Sequence, residues 1–121
     1  MFLVAVNKSK QLLYVHFVEH VQVDQLERGR EDLEILLQDL NTDFSVLADL
    51  SYLDRIDLNC AGEIGRIMEL LDQNGVGKVV RVIPDPSKDI GLNILAQFHY
   101  HHLPSTFTCE KLSQAAEELS L

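Results

Sequence analysis

From Phe44 to Leu50 the chain runs Phe-Ser-Val-Leu-Ala-Asp-Leu, apolar on both alternating sets of positions, which is the pattern of a strand buried on both faces of a parallel sheet. A polar bend, Asp49 to Asn59, follows it. From Cys60 to Gln73 the period becomes helical, with Ala61, Ile64, Ile67, Met68 and Leu71 on one side. Asn74-Gly75 ends that helix, because glycine reaches the left-handed conformation that satisfies the last carbonyls. Lys78 to Ile83 is the next apolar run. A strand, loop, helix and strand in this order form a right-handed parallel unit, and its loop lies at the carboxyl edge of the sheet, where ligands and partners dock.

Around this unit the remaining segments fall into place. Phe2 to Val6 and Gln11 to Val18 are β-rich runs joined by the polar turn Asn7-Lys8-Ser9-Lys10, which predicts an antiparallel hairpin. From Asp24 to Leu40 the leucines Leu26, Leu33, Leu36, Leu37 and Leu40 share one side of a helix whose other side is largely acidic. Pro84-Asp85-Pro86 forces a turn, after which Ser87 is the expected cap of a helix that buries Ile90, Ile94, Leu95 and Phe98. His99 to Pro104 is a connector, Ser105 to Thr108 a short edge strand, and Glu110 to Leu121 a last helix. The expected fold is α/β: a mixed sheet of about five strands with helices packed on it, in the order β-β-α-β-α-β-α-β-α.

Composition narrows the function classes. A chain of 121 residues suits one domain, taken as residues 1–121, and 46% hydrophobic against 24% charged residues argues for a packed core. Nineteen acidic and ten basic residues give a net charge of -9, a field that repels nucleic-acid backbones and anionic lipid. Neither a membrane span nor the basic start of a signal peptide is visible, so the expected location is cytoplasmic. The two cysteines, Cys60 and Cys109, lie outside any zinc-type spacing and are expected as reduced thiols.

Candidate chemistry gathers at the bend. Asp49, Ser51, Asp54, Asp57 and Asn59 crowd polar groups into one stretch, either as a docking loop or, for Asp57 and Asn59, as caps of the following helix. Without a Gly-rich phosphate loop, three aspartates make a poor magnesium site. Cys60 at a helix start has the position of an activated thiolate, but its own loop supplies no base, and a small half-buried residue is the simpler expectation. His99, His101 and His102 have short spacing without carboxylates in the same connector, so no metal is assigned to them. Ser87 and Lys88 follow the next parallel strand. Free N–H groups there, with a lysine beside them, form the best small anionic ligand site in the chain, against the alternative of an ordinary cap.

The order of elements, the central Val46-Leu47-Ala48-Asp49-Leu50-Ser51-Tyr52-Leu53-Asp54, the Asn74-Gly75 helix end and Phe107-Thr108-Cys109-Glu110-Lys111-Leu112-Ser113-Gln114-Ala115 together resemble a STAS domain, the fold of anti-anti-sigma factors and of sulfate-transporter tails. The resemblance implies a regulatory docking surface around the turn after the central strand. In anti-anti-sigma factors that turn carries a serine phosphorylated by a partner kinase. Here Asp54-Arg55-Ile56-Asp57 or Asp57-Leu58-Asn59-Cys60 occupies it, and neither alignment supplies a serine or threonine; Ser51 is the nearest hydroxyl. The expectation is a non-enzymatic module without cofactor, docking an anti-sigma or kinase-like protein through Asp49, Ser51, Asp54, Asp57, Asn59, Cys60, Gly62 and Ile64. Ser87 and Lys88 are the ligand candidates of the alternative, a small-molecule or lipid binder, and self-association is left open.

Overall fold

The computed structural model describes residues 1–121. Its elements are β1 (Phe2–Asn7), β2 (Leu12–Val21), α1 (Val23–Leu36), β3 (Ser45–Ile56), α2 (Ala61–Gln73), β4 (Lys78–Val82), α3 (Ser87–His99), β5 (Ser105–Cys109) and α4 (Leu112–Glu118). The five strands lie in chain order, β1 antiparallel to β2 and every later neighbour parallel. This is the expected mixed sheet and element order.

With the parallel strands stepping in one direction, right-handed crossovers place α1, α2 and α3 on one face. That face holds the main core, where Leu26 and Leu33 of α1, Ile64, Ile67 and Met68 of α2, and Ala96 of α3 meet Leu13, Val15, Val46, Ala48 and Val79. On the opposite face only α4 covers the sheet, packing Ala115 over Leu12, Leu47, Val80 and Val82. The two faces follow from the double set of apolar positions in β3.

Two charged anchors fix the helices. Glu63, fully buried in the first turn of α2, accepts from Arg30 of α1 and from Arg66 on its own helix at 2.7 Å. Burial pushes its carboxyl upward, but the two guanidinium groups outweigh this and hold it below the ordinary 4.5. Arg81, buried on β4, donates to Asp89 at 2.9 Å and Asn93 at 2.7 Å on α3. Asp89 also accepts from the Thr108 hydroxyl of β5 at 2.9 Å.

Several expectations are corrected here. The strand after Phe44 does not stop at Leu50; it continues to Ile56, and β2 continues with it to Val21 instead of stopping at Val18. Their pairing slips between His16/Val18 and again between Glu19/His20, each time with one extra residue on β3. Such bulges shift the alternation by one residue, so Leu50, Leu53 and Ile56, three apart, stay on the helix-covered face. A threefold spacing looks like a bend only when bulges are left out. In α3, Ile90, Ile94 and Phe98 do not form the buried side. They are 63%, 52% and 79% exposed, because Arg81 holds Asp89 and Asn93 of the same helix and α3 turns Leu92, Leu95 and Ala96 to the core instead.

Candidate functional site

β4 pairs with β3 only as far as Asp49↔Val82, whereas β2 accompanies β3 to Ile56. The last seven residues of β3 therefore project beyond β4 as a ribbon with a free side. A short 3-10 turn, Leu58–Cys60, then swings the chain into α2, and α3 begins across the gap. Between ribbon, helix start and α3 lies an apolar cleft of about 450 Å³. Phe17, Leu50, Leu53 and Ile64 line it from the sheet and α2, and Leu92 and Leu95 from α3. Arg55, Asp57, Leu58 and Lys88 also line it and stand closer to solvent. Leu58 is 98% exposed, a display of apolar surface that folding alone does not require.

The expected site residues divide. Asp57, Cys60, Ile64 and Lys88 come together at the cleft. Asp49 does not: it is buried on the opposite face of β3 from Leu50, accepts the Ser51 amide at 2.9 Å and lies 3.7 Å from His16. Ser51 is half-buried in the first bulge, while Asp54, Asn59 and Gly62 are exposed outside the lining. The stretch from Asp49 to Ile56 is thus strand, and the docking loop shrinks to Asp57 and the 3-10 turn.

The helix caps are corrected too. No side chain caps α2; Asp57 instead bonds His20 of β2 at 2.6 Å, tying the ribbon's end to the helix start, and Asn59 makes no cap bond. Ser87 is not the cap of α3. Its amide and hydroxyl both donate to Asp85, at 3.1 and 2.8 Å, and these donors hold the Asp85 carboxyl below its ordinary range. A carboxylate of the chain already occupies the place assigned to an anion at Ser87. Lys88 does reach across the cleft as the parallel order implies, donating to the Leu53 carbonyl at 3.1 Å.

Cys60 is fully buried, beyond the half-burial expected, with its sulfur 3.7 Å from the Val21 carbonyl. Burial and then the Asp57 charge push its thiol up, opposite to what an activated thiolate needs. His99 is not part of the connector but the last residue of α3, where it bonds Glu69 of α2 at 2.7 Å, and the His102 amide beyond it donates to Asp72 of α2 at 3.0 Å. They tie α3 to α2. Phe17, Leu50, Leu53, Arg55, Leu58, Leu92 and Leu95 line the cleft without being among the residues expected from the sequence. Their one sequence signal is the Leu50, Leu53, Ile56 spacing, which a bulged strand explains.

No protein-family model matches the chain, and no curated protein matches it. Solved structures do. A DUF3478-family protein with a SpoIIAA-like fold from Shewanella loihica superposes with a TM-score of 0.72 at 15% identity, over 98% of this chain and 92% of that one. The phosphorylated form of the Bacillus cell fate determinant SpoIIAA gives 0.65 at 13% identity, over 98% and 99%. An anti-sigma factor antagonist from Mycobacterium paratuberculosis gives 0.59 at 14%, over 100% and 94%.

Proposed function

We propose that this chain, which has the SpoIIAA-like α/β fold of solved anti-sigma factor antagonists, is a non-enzymatic regulatory module that docks a protein partner, of the anti-sigma or kinase-like class, through the turn and helix start after β3. The exposed apolar set Leu58, Ile90 and Ile94 beside the cleft carries this reading, since large apolar side chains grouped at one edge mark interaction surfaces. Ala61 and Gly62, exposed in the first turn of α2, let a partner approach the helix closely. The polar contribution comes from Asp54, Asp57 and Asn59. Docking works here without phosphorylation of a turn serine, because the turn has none. Catalysis has no nucleophile-base pair to rest on, and no helix is long and apolar enough to cross a membrane.

Gly62→Arg tests the surface. A Cβ at Gly62 would meet only Arg66, at 3.9 Å, and the position is exposed, so a longer side chain can extend into solvent and the fold should be kept. The expected outcome is a sigma-linked or kinase-like protein captured by the unaltered chain and lost with the variant; equal capture by both would remove this surface from consideration.

A second reading is favoured by the cleft itself. Its volume of about 450 Å³ falls in the range of small-molecule sites, about 300–1,000 Å³, and its lining is mostly apolar. In this reading the chain binds a small molecule or lipid. Native mass spectrometry of freshly isolated protein should then show an added mass, and the bare chain mass alone would count against it.

A further inference from the structure

Four of the five arginines pair with a carboxylate: Arg28 with Asp24, Arg30 and Arg66 with Glu63, and Arg81 with Asp89. Arg55 has no carboxylate partner, in a chain with nineteen of them, and it lines the apolar cleft. The carboxylate of Asp57, which also lines the cleft, is taken up by His20 at 2.6 Å. Lys88, the other cation there, uses one donor on the Leu53 carbonyl and keeps two. An apolar chamber with uncommitted cations at its solvent side is thus set into a protein of net charge -9.

Resting on the reading of the cleft as a ligand site, we infer that it takes a single-chain anionic amphiphile, its hydrocarbon tail along Phe17, Leu50, Leu53, Leu92 and Leu95 and its carboxylate or equivalent head between Arg55 and Lys88. Arginine suits this role, because its planar fork matches a carboxylate with two parallel bonds and stays charged. At roughly 30 Å³ per non-hydrogen atom, a cleft of about 450 Å³ accommodates about fifteen such atoms, the size of a twelve-carbon carboxylic acid.

Calorimetric titration of the full chain with dodecanoate and with dodecanol, both below their aggregation concentrations, tests the inference. Dodecanoate should bind at least about tenfold tighter than the alcohol, the contribution of a charge-assisted pair. Arg55→Gln, at an exposed and unpaired position, should erase that difference and leave dodecanol unchanged. Gly91→Phe should abolish both, since a side chain at this cleft-lining glycine has open space before it. Equal affinities in the unaltered chain would overturn the head-group assignment while leaving the cleft reading standing. No binding of either compound would remove the cleft reading itself. Co-sedimentation with phosphatidylglycerol vesicles without binding of monomeric dodecanoate would also overturn the inference, in favour of a membrane surface.

Discussion

Helices α1 and α3 occupy equivalent places, each crossing between parallel strands on the same face of the sheet, yet they are held there by different balances of apolar and polar contact. Helix α1 sinks Leu26 and Leu33 into the core and turns its acidic residues outward. Helix α3 fully buries only Ala96, reaches the sheet through Asp89 and Asn93 bonded to Arg81, and leaves Ile90, Ile94 and Phe98 outside. Hydrophobic burial, the main driving force of folding, therefore accounts for α1 and leaves the apolar edge of α3 unexplained. A helix that packs Leu92, Leu95 and Ala96 inward yet keeps Ile90, Ile94 and Phe98 outside has apolar surface available for something other than its own fold, and the cleft beside it is where that something would bind.

The sharpest way to break this contrast is to remove packing on one side and the polar anchor on the other. Leu33→Ala should cost about 3 kcal/mol of global stability, the usual loss for a buried leucine, with the denaturation midpoint falling for the whole chain. Arg81→Met keeps the volume and strips Asp89 and Asn93 of their partner, at a cost of up to about 3 kcal/mol. Its effect should be local: amide exchange should accelerate over Ser87–His99 and stay slow in Val23–Leu36. Equal acceleration in both helices would mean that α3 is not separately anchored.

Glu63 supplies a pH-dependent version of the same test. Its folded pKa lies below its ordinary value, so its contribution to stability is present above about pH 4.5 and is lost as pH falls through the lower folded value. Glu63→Gln should therefore destabilise the chain at neutral pH, by about 2 kcal/mol, and flatten the loss of stability on acidification, as thermal melts at stepped pH would record. An unchanged acid slope would show that Arg30 and Arg66 do not hold this carboxylate in solution. Because Arg30 belongs to α1 and Glu63 to α2, this anchor joins those two helices and should leave α3 exchange unaltered.

How much of this was legible depends on which force set each element. The sheet, the hairpin and α1 and α2 were visible because period-two and period-3.6 apolar patterns report burial directly. The length of β3 was hidden by its bulges, which place Leu50, Leu53 and Ile56 on one face with a spacing that belongs to neither period. The orientation of α3 was hidden because Ile90, Ile94 and Phe98 make the same pattern whether a helix faces the core or a partner; only Arg81, on another element, decides it. That the helix start and Lys88 would stand together at one edge of the sheet was legible, since it follows from the loop position in a parallel unit. Arg55 was passed over, for its significance lies in lacking a partner, a property of three-dimensional neighbours.

The smallest expected effect carries the contrast furthest. Ile94→Ser and Phe98→Ser remove apolar surface that is 52% and 79% exposed, so each should change stability by no more than about 0.5 kcal/mol. Ile94 also lines the cleft, whereas Phe98 does not. If the cleft binds dodecanoate, Ile94→Ser should weaken that binding several-fold and Phe98→Ser should leave it unchanged, while a protein docked over the outer ridge of α3 should be lost with both. Calorimetry for the amphiphile and capture for the partner thus separate the two uses of one helix. A large stability loss from either substitution would show instead that the outward side chains of α3 serve the fold after all, and the difference between α1 and α3 would disappear.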